Sequence, residues 1–149
     1  MTKTFIFAII ILFIGNLPAT ASERFITKLK LPSGQTAVIS EGEFEARSIG
    51  SFSILLYQAA PAGDETTFFI SGLISARDGF IEKVVLDDVN GNEQLEIIVI
   101  IRSVGTGSYL SAHAFMIGKN QKMTLISTVD GLQAGADPVS ALKKQNSSE

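Results

Sequence analysis

Short runs of β-branched and aromatic residues, separated by turn residues, follow one another along most of the chain. This pattern is typical of an antiparallel β-sandwich or β-barrel, and no long segment has the apolar period of an amphipathic helix. The sequence therefore predicts an all-β fold of about eight strands. The predicted strands cover residues 24–31, 36–40, 51–58, 66–75, 80–86, 96–103, 109–117 and 123–129.

Two of these runs also predict which side chains are buried. Residues 51–58 place Phe52, Ile54 and Leu56 at alternate positions, so these side chains should share one face of a strand. Residues 96–103 are nearly continuous in β-branched residues. Such a run predicts a central strand that is covered on both faces.

Turn and helix signals predict one hairpin and one helix. Asp78-Gly79 is typical of a tight hairpin, which predicts that residues 66–75 pair with residues 80–86. Near the C-terminus, Asp137 as a cap and Pro138 at the first helical position predict a short helix over residues 138–144.

The N-terminus has the organisation of a secretory signal peptide. The apolar run of residues 5–14 is shorter than a membrane-spanning helix requires, and Ala19-Thr20-Ala21 is typical of a signal-peptidase site. We predict that residues 1–21 form a cleaved signal peptide. The mature chain, residues 22–149, would then be a single domain in the periplasm without a membrane anchor.

Composition excludes several classes of function. The chain has no cysteine and one histidine, which excludes an ordinary zinc or iron–sulfur site and any disulfide. Its formal net charge of −3 does not favour nucleic-acid binding. A hydrolytic triad would need His113, yet no G-x-S-x-G nucleophile motif is present. The sequence therefore predicts a binding protein without a cofactor rather than an enzyme.

One polar loop has the spacing of a cation site. Asp88, Asn90 and Asn92 place oxygen ligands at alternate positions, and Glu96 adds a later carboxylate that can complete the shell, as in several calcium loops. Asn90-Gly91 is equally typical of an ordinary turn. A calcium-dependent binding module of the bacterial envelope is therefore the alternative prediction for this protein.

A glycine-rich segment before the seventh strand is a candidate partner-binding loop. Gly107 allows close approach of another surface, and Thr106 and Ser108 carry hydroxyls that donate and accept hydrogen bonds. Tyr109 adds a large ring with a polar tip, as interface anchors often do. The alternative is an ordinary connection whose tyrosine packs in the core.

A second segment has the same pattern of residue types. Arg47-Ser48-Ile49-Gly50 matches Arg102-Ser103-Val104-Gly105, and in both a hydroxyl residue and an aromatic residue follow. If the similarity is not chance, the two segments should lie at the same end of the domain. Ser48, Ser51 and Phe52 are therefore further candidate partner-binding residues.

At these residues the chain resembles the periplasmic inhibitors of invertebrate-type (i-type) lysozyme. The inhibitory motif of that family is Ser-Gly-x-Tyr, and here it is Thr106-Gly107-Ser108-Tyr109, with threonine in place of serine. The other shared motifs extend through most of the mature chain. They are Glu41-Gly42, Glu45, Arg47-Ser48-x-Gly50-Ser51-Phe52, Leu56-Tyr57, Arg77-Asp78-Gly79-x-Ile81-Glu82, Asp88, Gly91, Glu96-Ile97, Arg102-Ser103-x-Gly105 and Tyr109-Leu110-Ser111-Ala112.

This resemblance implies a function and an assembly. Members of the family are exported all-β proteins, often homodimers, that insert loops into the lysozyme cleft. An i-type lysozyme would then be the partner of this chain, and inhibition would need neither a covalent step nor a cofactor.

Overall fold

The computed structural model describes residues 23–64 and 66–148, which form eight β-strands and one α-helix. The predicted signal peptide, residues 1–21, lies outside these described residues. In chain order the elements are β1 (Ile26–Lys30), β2 (Thr36–Glu41), β3 (Ile49–Tyr57), β4 (Phe69–Asp78), β5 (Phe80–Asp87), β6 (Glu96–Arg102), β7 (Leu110–Ile117), β8 (Met123–Leu132) and α1 (Pro138–Asn146).

The strands form two four-stranded antiparallel sheets, one with the order β1-β2-β3-β4 and the other with the order β5-β6-β7-β8. Among the described residues, no strand of one sheet pairs with a strand of the other. The fold is therefore a sandwich rather than a closed barrel, which confirms the all-β prediction and decides between its two forms.

The core lies between the two sheets, as the alternation of apolar residues in the third run predicts. Phe52, Ile54 and Leu56 of β3 are all fully buried there. Strand β6 is buried along almost its whole length. Its residues Ile97, Val99 and Ile101 join the inter-sheet core, so the prediction of a central strand covered on both faces is confirmed.

Helix α1 covers the other face of β6 and its neighbours. Leu142 is fully buried against a second apolar cluster that includes Ile98 and Ile100. The helix begins as predicted, because an Asp137 carboxylate oxygen accepts a hydrogen bond from Val139 N at 3.1 Å. Within the described part of the chain, no helix is long and apolar enough to cross a membrane.

The prediction that Asp78-Gly79 forms a hairpin is wrong. Strands β4 and β5 belong to different sheets and do not pair, and only Gly79 separates them. Gly79 has a φ of +119°, a value that glycine adopts without steric cost. The chain uses this freedom to pass from one sheet to the other instead of folding back on itself.

Antiparallel order places the connections at two opposite ends of the sandwich. One end carries the β2–β3 loop (residues 42–48), Gly79 and the β6–β7 loop (residues 103–109). The opposite end carries the β3–β4 loop (residues 58–68) and the β5–β6 loop (residues 88–95). The two segments of similar sequence therefore lie at the same end, as predicted, and the candidate calcium loop lies at the other end.

Candidate functional site

The β6–β7 loop is closed by hydrogen bonds of its own backbone. Ser103 N donates to Tyr109 O at 2.9 Å, and Ser108 N donates to Gly105 O at 3.3 Å. Ser108 has a positive φ of 45°, which is uncommon for a residue with a side chain. These contacts give the short loop a defined shape without burying it.

Arg102, the last residue of β6, holds the same loop in place. Its Nη1 donates to Ser108 O at 2.9 Å, and its Nε forms an ion pair with Glu82 of β5. The hydrogen bond to Glu82 raises the pKa of the Arg102 guanidinium above its usual value. The loop is thus anchored to the neighbouring strand of its own sheet.

Tyr109 lies across the backbone of Gly107. A Cβ atom at position 107 would lie only 2.2 Å from Cε2 of the Tyr109 ring, so the ring position requires glycine there. The Tyr109 side chain is nevertheless 46% exposed, and Thr106 beside it is also exposed. The loop therefore presents a hydroxyl and an aromatic ring to solvent, and Tyr109 is not a core residue.

The β2–β3 loop is organised around the Glu45 carboxylate. That carboxylate accepts hydrogen bonds from Ser51 N and from Ser51 Oγ, the latter at 2.8 Å. These two bonds from Ser51 lower the pKa of Glu45. A Cβ atom at Gly42 or Gly50 would lie 2.3 or 2.4 Å from its oxygens. The Ser51 hydroxyl therefore has a structural partner within the loop.

Arg77 of β4 holds the other side of this loop, a role that its place in the sequence does not reveal. Its side chain is fully buried, with Nε 3.9 Å from a carboxylate oxygen of buried Glu41. The same Glu41 oxygen accepts from Ile81 N at 2.7 Å. The Arg77 guanidinium donates to four backbone carbonyls, those of Ala46, Arg47, Ser51 and Gly79. Arg77 thus fixes the path of the β2–β3 loop.

The two loops meet at Gly79. Gly79 N donates to Ser48 O at 2.8 Å, and a Cβ atom at position 79 would lie 2.1 Å from Arg102 O. Gly79 is therefore packed between the base of one loop and the base of the other. Arg77, through its bonds to the carbonyls of Arg47 and Gly79, connects the β2–β3 loop to Gly79.

Ser48 and Phe52, the other two candidate partner-binding residues of the segment 47–52, differ in accessibility. Ser48 is exposed, whereas Phe52 has no exposed surface. The Phe52 ring packs edge-on against Phe115 and His113, with centroid distances of 5.9 and 6.2 Å. Phe52 therefore supports the site from the core, and its side chain is not available to a partner.

His113 of β7 does not assemble a hydrolytic triad. Its ring packs against the rings of Phe52 and Phe115, and Nδ1 is buried without a hydrogen bond from the described residues. Burial lowers the pKa of His113. A serine nucleophile would have to bond to this ring, and none of the described residues does so.

The oxygens of the candidate calcium loop are engaged by the loop itself. The Asp88 carboxylate accepts four backbone N–H bonds, from Asn90, Gly91, Asn92 and Glu93, at 2.7–3.2 Å. Burial tends to raise the pKa of Asp88, but these bonds together lower it. Fully buried Glu96 accepts from Val89 N at 2.9 Å and from Asn90 Nδ2 at 3.0 Å. The geometry is that of a carboxylate-stabilised turn.

We therefore expect calcium to have little effect on this protein. Binding would require Asp88 to exchange four N–H donors for a cation, and the described residues bring no three acidic or histidine side chains together. Calorimetric titration and melting curves with millimolar calcium or with a chelator should be indistinguishable. Stoichiometric heat, or a rise in melting temperature with calcium, would contradict this prediction.

The fold and the site together define a class of protein. The chain is a small β-sandwich with two exposed loops at one end, and hydrogen bonds hold both loops in shape. The described residues assemble no catalytic group. This arrangement is typical of a protein that binds another macromolecule.

Comparison with known proteins identifies the family. Residues 23–146 match the family model of the periplasmic lysozyme inhibitors of I-type lysozyme, and the chain belongs to this family of inhibitors, which are not enzymes. A search of the curated proteins found no significant match.

Two solved structures are similar over almost their whole length. One is PliI-Ah, the periplasmic lysozyme inhibitor of I-type lysozyme from Aeromonas hydrophila, at 41% identity and a TM-score of 0.72. The match covers 79% of the present chain and 98% of that one. The other is Aeromonas hydrophila PliI in complex with Meretrix lusoria lysozyme, at 42% identity and a TM-score of 0.72. It covers 80% of the present chain and 95% of that one.

Proposed function

We propose that this protein inhibits i-type lysozyme by placing its β6–β7 loop in the active-site cleft of the enzyme. The observation that carries the proposal is the exposed pair of Thr106 and Tyr109 on a loop that Arg102 and its own backbone hold in shape. A preorganised loop loses little conformational entropy when it binds. Membership of the inhibitor family and the complex formed by the Aeromonas protein support the same partner.

The chemistry of the loop matches that of a glycosidase cleft. Lysozymes use two carboxyl groups, one protonated and one ionised. The Thr106 hydroxyl can donate a hydrogen bond to the ionised group or accept one from the protonated group. The Tyr109 ring has the size and flatness to occupy a sugar subsite. Occlusion of this kind needs no covalent step and no cofactor.

The β2–β3 loop adds a second contact region. Ser48 is exposed at the base of this loop, and its carbonyl is bonded to Gly79 beside the β6–β7 loop. Ser108 and the backbone of Gly107 lie next to the main contacts. Ser51 contributes through its bonds to Glu45, because these fix the loop that carries Ser48.

The experiment that tests this function is an inhibition assay with purified residues 22–149. Lytic activity of an invertebrate-type, a chicken-type and a goose-type lysozyme is measured against increasing protein. We expect stoichiometric loss of i-type activity. Undiminished i-type activity at a large molar excess of the protein would overturn the proposed function.

We also propose that the protein acts in the periplasm as a homodimer. The periplasmic address is supported by the family and by the predicted signal peptide. For the dimer, the outer face of the first sheet carries exposed apolar residues, including Ile26 at 68% and Ile74 at 77% exposure. They lie in one cross-strand row with Ser40 and Ser53. A second copy of the chain would cover the isoleucines at the two ends of this row, and two-fold pairing is the commonest assembly of soluble proteins.

Light scattering at micromolar concentration should therefore give twice the mass of one chain. Ile74→Lys should shift the population to monomer, because a charge would have to be buried in the interface. The same variant should still inhibit lysozyme, since the row lies on the sheet face and not in the loops. A monomeric parent protein would contradict the proposed dimer without affecting the proposed function.

A further inference from the structure

Phe44, in the β2–β3 loop, is the most exposed large apolar residue of the described chain. Its side chain is 97% exposed, so water surrounds the whole ring. Single exposed apolar residues are common on proteins, and exposure alone would carry no conclusion. The surroundings of Phe44 indicate what its ring does.

Hydrogen bonds to both side chains and backbone carbonyls hold the residues beside Phe44 in place. The Glu45 carboxylate is bonded to Ser51, and the Glu45 carbonyl accepts from Nη2 of Arg24. The next carbonyl, that of Ala46, accepts from Nη2 of buried Arg77 at 3.1 Å. The backbone beside the ring is therefore fixed, while the ring itself contacts little of its own protein. A large ring on a fixed backbone is the arrangement of an interface anchor.

This loop is continuous with the surface that we propose for the lysozyme. Its base contacts Gly79 through Ser48 O, and Gly79 in turn packs against the base of the β6–β7 loop. Two further exposed apolar residues lie at the bases of the two loops. They are Ile49 at 64% exposure and Val104 at 58% exposure. Phe44, Ile49 and Val104 thus share the end of the sandwich that carries Tyr109.

From these contacts we infer that Phe44 is a second anchor of the inhibitor, which packs on the lysozyme surface beside the cleft. This inference rests on the proposed function and extends it. Tyr109 blocks the cleft, and Phe44 adds apolar burial outside it. Neither the inhibitory motif nor the similarity between the two segments includes Phe44.

The test compares Phe44→Ala with Phe68→Ala. Phe68 is a matched control, because its side chain is 76% exposed but lies in the β3–β4 loop at the opposite end of the sandwich. Inhibition constants against an i-type lysozyme, melting temperatures and light-scattering masses are measured for both variants. We expect Phe44→Ala to weaken inhibition at least tenfold and Phe68→Ala to leave it within twofold of the parent. Melting temperature and mass should be unchanged in both.

Several outcomes would overturn the inference. They are equal inhibition by the two variants, a loss of inhibition by Phe44→Ala that accompanies a lower melting temperature, and a change of mass without a change of inhibition. If Phe44→Ala inhibits like the parent while Tyr109→Ala does not, the second anchor is refuted and the proposed function stands. If the parent protein itself does not inhibit, the proposed function has failed instead.

Discussion

Replacing Tyr109 with alanine is expected to weaken inhibition of i-type lysozyme roughly thirtyfold, which corresponds to a loss of about 2 kcal/mol. The ring is the largest side chain of the β6–β7 loop, and it is half-exposed in the free protein. Its full surface would be buried only in the complex. Inhibition constants from progress curves at several protein concentrations measure this effect.

Stability measurements and a conservative variant serve as controls. Tyr109→Ala should melt close to the parent, because the ring rests on Gly107 and not in the core. Thr106→Ser keeps the hydroxyl and should inhibit as well as the parent. If Tyr109→Ala inhibits like the parent, or loses inhibition only because it unfolds, the loop mechanism is wrong.

Arg77→Met is expected to destabilise the fold by about 3–5 kcal/mol, the usual cost of removing one partner of a buried ion pair. The substitution removes the buried one of the two guanidinium groups beside the Glu41 carboxylate, leaving only the partly exposed Arg47 at 3.8 Å. It also deprives four backbone carbonyls of a donor. A domain is commonly stable by only about 5–15 kcal/mol, so this is a large fraction. Denaturant unfolding of parent and variant gives the difference.

Two further variants distinguish the network from charge alone. Lys143→Met removes an exposed, solvent-screened ion pair with Asp87 and should destabilise the fold far less than Arg77→Met. Arg77→Lys keeps the charge but lacks the planar, multiple-donor guanidinium, so it should recover only part of the lost stability. If Arg77→Met unfolds at the same denaturant concentration as Lys143→Met, the proposed role of Arg77 is refuted.

Much of the fold follows from local patterns. Alternation in β3 and the apolar run of β6 predicted which side chains are buried, because period-two patterns and burial have the same geometric cause. The hairpin at Asp78-Gly79 could not be excluded from sequence. A glycine with positive φ serves a hairpin and a passage between sheets equally well, and only long-range pairing decides between them.

The candidate site was predictable in part. The composition of residues 106–109 left open a binding loop and an ordinary connection with a core-packed tyrosine, and the structure shows that Thr106 and Tyr109 are exposed. The similar segment correctly predicted two loops at one end. Phe52 shows the limit of such similarity, because the aromatic residue that follows the second pattern faces the core. Arg77 occupies an inward-facing position where an apolar residue would be expected. Its partners are carbonyls from distant segments, which no local pattern reveals.

The most direct test of the central claim is whether the protein and a sugar compete for the cleft. A fluorescent oligosaccharide of N-acetylglucosamine is bound to an i-type lysozyme, and its anisotropy is followed as purified residues 22–149 are added. The account predicts that one equivalent of the protein releases the sugar and that Tyr109→Ala needs roughly thirtyfold more. A ternary complex, in which lysozyme binds the protein and the sugar together, would contradict it.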